Sequence, residues 1–485
     1  MFSLRGRGGV RIAARATVVA LLAGVGAAAA AQGGGTPPVA PGFMPRGPVN
    51  TCFWRDPQIN PGPIDQLHQE NNLAGPDTDT AYYYTRFQLP PGATVVLHGE
   101  YPHARFMSYT TYKPIDGVSG FPAAALYDTE IRPDRGSVNP FKPGASRDAV
   151  KRAYTVTVSG RVPPANLARN TLYVGHAGMT GKSQLVEMIL RVYRPDRGYD
   201  GPGGVPLPEP TYRAANGATY TGSAACANLH NQSGEAELAK TERAEEALTP
   251  AAYRSLRDSA PAPHPATDPV RWYRYFNNQR LLEPFFAGTS RASVISSLPT
   301  NIIGGYYSTP SNAYLYGYVD RTIGPDHDAH NILVLRAKMP THPHTYDRES
   351  VNDSAGTQVR FWSICNYGSI ARPATRANSA CLFDERVPTD RAGYYTIVVS
   401  LPQDRPRNAT DRCGVAWMNW GTAGDGHGRA TLDLLFIREQ LDSPSFTHGI
   451  DKVTTPDTEQ HVMGAYYPNG TYMTKAQFQK RGCNA

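Results

Sequence analysis

Three residues in the second half of the chain have the types and spacing of a metal site. His342, His344 and Glu349 bring two imidazoles and a carboxylate together on a short segment, and such ligands suit divalent transition metals. The segment is an insertion that the first half of the chain lacks, and no Pro-x-Gly motif with a third histidine follows it. We therefore expect a polar loop and predict no cofactor, with a divalent metal at these residues as the alternative.

Tyrosine is the second residue type that could meet a ligand. The 485 residues include 28 tyrosines, which crowd two corresponding segments, one with Tyr82 and Tyr84 and one with Tyr314 and Tyr316. A tyrosine ring offers a flat apolar face and a hydroxyl group, which suits stacking against a sugar or another amphipathic small molecule. A half-buried sheet also favours tyrosine for packing alone. These four residues are candidate ligand contacts, with a purely structural role as the alternative.

Four charged residues lie at matched positions of otherwise apolar segments. Arg105 and Arg360 each begin such a segment, and Glu187 and Asp433 each lie within a later one. An unpaired charge on the core side of a sheet is costly. We therefore predict one structural ion pair in each half, Arg105 with Glu187 and Arg360 with Asp433. The alternative is that these charges line a ligand cleft.

Motifs of the common exported hydrolases are weak in this chain. No Gly-x-Ser-x-Gly sequence is present, so the usual nucleophile turn of the α/β-hydrolases is missing. Serine and histidine are nevertheless frequent, and a catalytic triad can be assembled from residues that are distant in sequence. A secreted hydrolase or a metal-dependent enzyme therefore stays open as an alternative function.

The elements that must position these residues come from an internal repeat. Five short segments of the first half recur in the same order in the second half: 81–84 with 313–316, 95–97 with 333–335, 105–108 with 360–363, 154–159 with 395–400, and 185–190 with 431–436. They are rich in β-branched and aromatic residues and are bounded by Gly, Pro and Asn, which is typical of strands. The pattern predicts a mainly β protein, a tandem duplication of an antiparallel β-sandwich or jelly-roll-like unit.

The composition also predicts the boundaries of these units. A Glu-, Ala- and Lys-rich stretch with Thr249-Pro250 and Asp268-Pro269 has the signature of capped helices, so a helical connector outside both units is expected. The predicted segments are a signal peptide at 1–31, an extended N-terminal arm at 32–72, the first repeat at 73–232, the helical connector at 233–300, the second repeat at 301–445 and a partly ordered C-terminal tail at 446–485.

The N-terminal segment indicates export. A basic stretch precedes an apolar run that ends in small residues at Ala31, which is typical of a cleaved signal peptide. Removal of its four arginines lowers the net charge from +7 to +3, so the charge gives no reason to expect nucleic acid as a partner. No later apolar stretch reaches the length of a membrane span. We predict a mature protein that is secreted or periplasmic, with no membrane span.

Six cysteines in an exported chain predict three disulfides. Cys365 and Cys381 are the closest pair and flank a loop rich in Gly, Pro and Asn, so we predict a bond between them. The pairing of the other four cysteines is left open by the sequence: Cys52, Cys226, Cys413 and Cys483.

Several of these segments carry a resemblance to known proteins. Residues 360–365, 381–385 and 413–417 resemble a family of exported proteins of unassigned function. More distantly, the strand pattern is similar to bacterial domains of unknown function in which an Arg-aromatic-Trp-Ser strand recurs. The resemblance implies a β fold and export, and it implies no catalytic residue.

Together these observations favour an exported protein that binds a small-molecule or glycan ligand in a cleft between its two β repeats. Carbohydrate is the ligand that the tyrosines suggest. The alternatives are the secreted hydrolase or metal-dependent enzyme described above, and a structural protein of the cell envelope.

Overall fold

A computed structural model of the chain describes residues 51–54, 77–115, 118–175, 178, 181–231, 266–275, 307–347, 356–366, 380–421 and 431–483. These residues belong to one compact unit, Ala40–Ala485. Their secondary structure consists mainly of β-strands, and most neighbouring strands are antiparallel. The mainly β fold predicted from the sequence is confirmed.

The first sandwich is built from two sheets. Its elements are β1 (Thr80–Leu89), β2 (Thr94–Glu100), β3 (Ala104–Ile115), β4 (Val118–Tyr127), β5 (Ala153–Ser159), β6 (Thr171–Tyr173), β7 (Gln184–Pro195), β8 (Glu209–Arg213), β9 (Thr219–Thr221) and α1 (Gly222–Asn228). One sheet has the strand order β1-β7-β3-β4, and the other has the order β6-β5-β2-β8-β9.

The second sandwich is built in the same way. Its elements are β10 (Tyr273–Arg274), β11 (Asn312–Asp320), β12 (Asn331–Lys338), β13 (Phe361–Asn366), β14 (Ala380–Phe383), β15 (Tyr394–Ser400), β16 (Ala416–Asn419), β17 (Leu432–Gln440), α2 (Glu459–Met463), β18 (Asn469–Thr474) and α3 (Lys475–Lys480). Its sheets have the orders β10-β11-β17-β13-β14 and β16-β15-β12-β18.

Apart from the edge strands β9 and β10, the strand orders of the two sandwiches correspond one to one. The order β1-β7-β3-β4 becomes β11-β17-β13-β14, and β6-β5-β2-β8 becomes β16-β15-β12-β18. Even the parallel pair recurs, because β5 runs parallel to β6 and β15 runs parallel to β16. The segments matched in the sequence therefore occupy equivalent strands, and the tandem duplication is confirmed.

Each sandwich encloses its own apolar core. Alternate residues of each strand point inward, as a pleated strand requires; in β5, for example, Tyr154, Val156 and Val158 are buried while the threonines between them are more exposed. The first core joins side chains of both sheets of the first sandwich. The second core does the same for the second sandwich.

Two boundaries differ from those predicted. The pair Asp268-Pro269 does not begin a helix: the described residues 266–275 contain no helix, and within them β10 pairs with β11. Burial of Trp272 in the second core explains the difference, because tertiary packing overrides local helix signals. Thr249-Pro250 lies outside the described residues. Of the predicted N-terminal arm, the described part places Phe53 and Trp54 in the first core.

The C-terminal segment is an integral part of the second sandwich rather than a partly ordered tail. Strand β18 pairs with β12 and is the counterpart of β8. Helix α3 follows it and begins with a capping box between Thr474 and Gln477, which satisfies two backbone donors at the helix start. The second sandwich therefore extends well beyond residue 445.

Three disulfides link the described cysteines. Cys365 and Cys381 are bonded, as the sequence predicts, and they are direct cross-strand partners on β13 and β14. The pairing that the sequence leaves open is Cys52 with Cys226 and Cys413 with Cys483. Three disulfides are typical of a protein from an oxidising compartment. Within the described ranges, no helix is both long and apolar enough to span a membrane.

The two sandwiches contact each other through the outer faces of β1-β7-β3-β4 and β11-β17-β13-β14, which we call the inter-sandwich interface. One apolar cluster in it joins Phe106 and Tyr193 of the first sandwich to Phe361 and Phe383 of the second. The faces of these sheets that point away from the two cores are thus covered by each other.

Two buried ion pairs cross between the sandwiches in a reciprocal arrangement. Arg105 Nη1 lies 3.0 Å from Asp384 Oδ2, and the same guanidinium also binds Glu385. Arg360 Nη1 lies 3.4 Å from Asp128 Oδ2. Because Arg105 corresponds to Arg360, and Asp128 and Asp384 each directly follow the equivalent strands β4 and β14, each sandwich gives one arginine and receives one.

The same two arginines also form reciprocal hydrogen bonds with backbone carbonyl oxygens across the interface. Arg105 Nη1 donates to the carbonyl oxygen of Arg360, and Arg360 Nη1 donates to the carbonyl oxygen of Arg105, both at 3.2 Å. Within each sandwich the carboxylate also accepts a backbone N–H, from Met107 to Asp128 and from Trp362 to Asp384. The arrangement has the reciprocity of a two-fold symmetric dimer interface inside one chain.

The predicted pairs Arg105–Glu187 and Arg360–Asp433 are therefore wrong. Glu187 lies 3.8 Å from Arg86 of the neighbouring strand, and Asp433 accepts a hydrogen bond from Asn366 at 3.1 Å. The sequence match that aligned Glu187 with Asp433 is also one residue out of register, since the strand pairings make Met188 equivalent to Leu435. A slip of one residue moves a side chain to the opposite face of the sheet.

The two ion pairs differ in their electrostatics. Burial raises the pKa of Asp384, but Arg105 outweighs it and the net pKa lies below the usual value. Burial also raises the pKa of Asp128, and here Arg360 only partly offsets it, so that the pKa reaches about 6. The ionised pair is thus favoured more strongly at Asp384, where Arg105 binds two carboxylates.

We expect Asp384→Asn to destabilise the protein more than Asp128→Asn at pH 7. Loss of one partner of a buried pair costs about 3–5 kcal/mol, which we expect for Asp384→Asn. Asp128→Asn should cost only about 1–2 kcal/mol, in the range of a buried hydrogen bond. Urea unfolding measures both, with Arg271→Ala, which removes the exposed pair with Asp457, as a control of less than about 1 kcal/mol.

The pH dependence of the free energy of unfolding provides a second test of the same ranking. Because the folded-state pKa of Asp128 lies above its unfolded value, its contribution to stability is present at low pH and is lost as the pH rises towards about 6. The free energy of unfolding of the Asp128→Asn variant should lack this part of the wild-type pH dependence. An Asp128→Asn variant that costs as much as Asp384→Asn would contradict the ranking.

Candidate functional site

Two equivalent arginines lie near the middle of the inter-sandwich interface. Arg191 on β7 is paired in register with Ser108 on β3, and Arg438 on β17 is paired in the same way with Ser363 on β13. All four side chains are buried. The duplicated sheets therefore present one arginine–serine pair from each sandwich to the interface.

Each arginine lies beside the ring of an equivalent tyrosine. The guanidinium carbon of Arg191 is 5.5 Å from the ring centre of Tyr82, and that of Arg438 is 5.7 Å from the ring centre of Tyr314. Such distances are within the range of cation–π attraction. Burial raises the pKa of Tyr82 even though Arg438 opposes it, so this tyrosine stays a neutral hydroxyl.

The turns that precede β1 and β11 hold these tyrosines in place. The backbone N–H of Asp77 donates to the Tyr82 hydroxyl at 3.0 Å, and the backbone N–H of Thr309 donates to the Tyr314 hydroxyl at 3.3 Å. Asp77 and Thr309 are thus equivalent positions in the two sandwiches. They differ in charge, and this difference breaks the two-fold relationship of the interface.

Asp77 supplies a counter-charge to Arg438. Its Oδ2 atom lies 3.7 Å from Arg438 Nη1 and accepts a hydrogen bond of 2.5 Å from Ser363 Oγ. Its Oδ1 atom accepts from the backbone N–H of Asp79 at 2.8 Å. The arginine–serine pair of the second sandwich is therefore completed by a carboxylate from the first.

The surroundings of Arg191 are different. The residue is only 3% exposed; its Nη2 donates to the carbonyl oxygen of Tyr307, and its Nη1 has no hydrogen-bond partner in the part of the chain that the structure describes. Among the described residues, no carboxylate forms an ion pair with it. Burial lowers the pKa of Arg191, but the hydroxyls of nearby tyrosines, Tyr112 first, raise it above the usual value. Within the described ranges, Arg191 is thus a buried cation without an anion.

Other buried polar groups nearby also lack a partner within the described structure. They are Ser108 Oγ, Asn312 Oδ1 and the side-chain amide of Gln440. Asn312 is close to the arginine, because it donates at 3.1 Å to the hydroxyl of Tyr193, which lies two residues beyond Arg191 on the same face of β7. Buried polar groups are normally hydrogen-bonded, and each unmade bond costs about 1–3 kcal/mol. The group around Arg191 thus contains several polar atoms whose hydrogen bonds are unmade within the described structure.

Tyr307 approaches this site with an uncommon backbone conformation. Its φ of 52° is left-handed, which costs a bulky residue free energy; Gly75 stands at the matched position of the first half. The carbonyl oxygen of Tyr307 accepts from Arg191 and, at 3.1 Å, from the Tyr112 hydroxyl. These contacts hold the strained residue against the arginine.

The four tyrosines predicted as ligand contacts fall into two groups. Tyr82 and Tyr314 are half-buried and contact the arginines as described. Tyr84 and Tyr316 are only 1% exposed, and other aromatic rings cover them: Tyr307 meets Tyr84 edge-on, and Phe436 stacks on Tyr316. Tyr84 and Tyr316 thus contribute to packing in this structure.

The predicted metal ligands lie beside the Arg105–Asp384 pair. The ring centres of His342 and His344 are 5.0 Å apart. His342 Nδ1 is 3.8 Å from Asp384 Oδ1. Glu349 lies outside the described residues, so the metal site stays a prediction. The group with metal-compatible spacing in the described structure is Asp77 with Cys365 and Cys381. The two sulfurs form a disulfide, which leaves a single carboxylate and makes metal binding there weak.

The sequence analysis missed the central residues of this site. Ser108 and Ser363 stood in a matched segment as identical residues, which is a signal that could have singled them out. Arg191 and Arg438 become equivalent only in the structural register, and the one-residue slip concealed the match. The importance of Asp77 lies in a contact with the other sandwich, which no local pattern reveals.

The fold and site define a pair of tandem β-sandwiches with one asymmetric polar site between them. No protein-family model and no curated protein matches the chain. Solved structures of two bacterial proteins are among those similar to the chain. One is an uncharacterized protein from Burkholderia cenocepacia, with 12% identity, 90% of this chain and 84% of that chain covered, and a TM-score of 0.43. The other is from Vibrio parahaemolyticus, with 13% identity, 88% and 92% covered, and a TM-score of 0.36.

These likenesses are too distant to carry an argument about this chain. The resemblance of residues 360–365 to an exported family accordingly remains a prediction.

We expect the same substitution to have different effects at the two arginines. Arg191→Met removes a buried charge that has no anion among the described residues, so the free energy of unfolding should stay within about 1 kcal/mol of wild type or rise. Arg438→Met leaves the Asp77 carboxylate buried without its cation and should cost about 3 kcal/mol. Urea unfolding in buffer free of small organic acids measures both; equal losses would contradict the assignment.

Proposed function

We propose that the protein binds a small organic anion between its two β-sandwiches, with Arg191 as the cationic anchor. The observation that carries this proposal is a buried guanidinium with an unused donor and no carboxylate partner among the described residues. An arginine remains charged at every physiological pH. Burying such a charge is costly unless it is paired, and a bound anion would supply the missing partner.

The surroundings of Arg191 support a polar ligand of limited size. Ser108 Oγ, Asn312 Oδ1 and the Gln440 amide offer further donors and acceptors. Small-molecule sites typically combine apolar and aromatic walls with a few polar groups that fix the orientation of the ligand. The tyrosines of the interface provide such walls, and Tyr82 and Tyr314 keep their predicted role as ligand contacts in this proposal.

A neutral carbohydrate, the ligand first suggested by the tyrosines, is less well supported. Stacking on a sugar needs an uncovered aromatic face, whereas Tyr84 and Tyr316 are covered by other rings. A neutral sugar would also leave the charge of Arg191 unbalanced. A sugar fits this proposal only through an acidic group.

We also propose that the protein acts outside the cytoplasm, after cleavage of the signal peptide near Ala31. The three disulfides support an oxidising compartment. Residues 1–31 lie outside the described structure, so the leader itself rests on the sequence pattern. A secreted or periplasmic binding protein would meet small anions directly from the medium.

Anion binding should appear as a rise in melting temperature. A ligand at 100 times its Kd stabilises the folded state by about 2.7 kcal/mol. We expect acetate or inorganic phosphate, compared with chloride at equal ionic strength, to raise the melting temperature of wild type. Neither should act on Arg191→Met, while Arg271→Ala, at an exposed arginine, should respond as wild type does.

Glucose serves as the neutral comparison. A wild-type protein that responds to glucose and to neither anion would contradict the proposal and favour carbohydrate binding. An equal response of Arg191→Met and wild type to the anions would show that they bind elsewhere.

A further inference from the structure

We propose that the group bound at Arg191 is a carboxylate, and that the side chain of Asp77 shows how it is held. This inference rests on the proposed function and names the ligand class of the same site. It follows from the comparison of two half-sites that one duplication produced and that differ at the position of Asp77, where the second sandwich has Thr309.

The half-site at Arg438 contains its own carboxylate. Asp77 reaches across the interface from the first sandwich, accepts from Ser363 Oγ at 2.5 Å and lies 3.7 Å from Arg438 Nη1. The charge of the arginine and the hydroxyl of the serine are both used. This half-site is complete without any ligand.

As far as the structure describes the chain, the half-site at Arg191 has the same donors and no acid. Arg191 Nη1 and Ser108 Oγ are the equivalents of the two groups that hold Asp77, and neither has a hydrogen-bond partner in the described structure. Thr309 stands where the symmetry would place the acid. Its hydroxyl lies 3.0 Å from Ser311 Oγ and 3.5 Å from Thr110 Oγ1, and it brings no charge.

The number of donors favours a carboxylate over a phosphate. One guanidinium can neutralise a single negative charge, as Arg438 does for Asp77, and the serine hydroxyl donates to the same oxygen, Oδ2, of that carboxylate. A phosphate brings nearly two charges at neutral pH and more acceptor oxygens. Within the described residues the site offers one unpaired cation, so a ligand with a single carboxylate at this end is the matching class.

The direct test introduces an acidic side chain at the position of Thr309. Thr309→Asp should place a carboxylate beside Arg191 and Ser108 and occupy the site permanently. Thr309→Asn is the matched control, because it has nearly the same shape without the charge. We expect acetate to bind wild type and Thr309→Asn in calorimetric titrations, and Thr309→Asp to weaken acetate binding at least 100-fold.

A second variant tests the symmetry in the opposite direction. Asp77→Thr empties the half-site at Arg438, so the stoichiometry of acetate should rise from one to two per chain. Because this variant also removes a buried ion pair, its folding is checked first by circular dichroism. Acetamide, which has the shape of acetate without its charge, should bind none of the variants.

The outcomes separate this inference from the proposed function. A wild-type protein that binds neither acetate nor phosphate overturns the proposed function and with it this inference. A wild-type protein that binds phosphate at least tenfold more tightly than acetate keeps an anion site and overturns the carboxylate assignment. Unchanged acetate binding by Thr309→Asp overturns the equivalence with Asp77.

Discussion

The reciprocal exchange of two arginines is the interaction on which the rest of the structure depends. Arg105 of the first sandwich binds Asp384 of the second, and Arg360 of the second sandwich binds Asp128 of the first. Since all four groups are buried, the pairs satisfy their charges only while the two sandwiches are in contact. The same contact brings the outer faces of two equivalent sheets together and removes their tyrosines, serines and arginines from water. The proposed binding site is therefore a consequence of how the duplicated units are joined.

Within this two-fold framework the replacement of Asp77 by Thr309 is the difference on which the proposed single site rests. Asp77 balances Arg438, whereas Thr309 at the equivalent position leaves Arg191 unbalanced. In a symmetric interface, a second acid would pair with Arg191 and stabilise the contact between the sandwiches. In our proposal, a ligand forms that ion pair instead. The left-handed Tyr307 beside Arg191 agrees with this view, because backbone strain tends to concentrate at functional sites.

The sequence predicted the fold better than the site. Short β-branched segments in a repeated order were enough to predict equivalent strands such as β5 and β15, because strand preference is local. The ion pairs were predicted within each half, since a sequence does not show whether a matched arginine pairs with its own unit or with the other one. The slip at Glu187 and Asp433 had a second cause: two apolar runs without an anchoring residue can be aligned in either of two registers. Trp272 shows the third cause, tertiary burial that overrides a local helix signal.

The central claim is that Arg191 and Ser108 hold a ligand carboxylate as Arg438 and Ser363 hold Asp77. A crystal structure of the full chain grown with saturating acetate tests it most directly. The account predicts a carboxylate with its oxygens within about 2.7–3.2 Å of Arg191 Nη1 and Ser108 Oγ. An Arg191 that is paired in that crystal with an acidic side chain of the protein itself, with acetate absent from the interface, would contradict it.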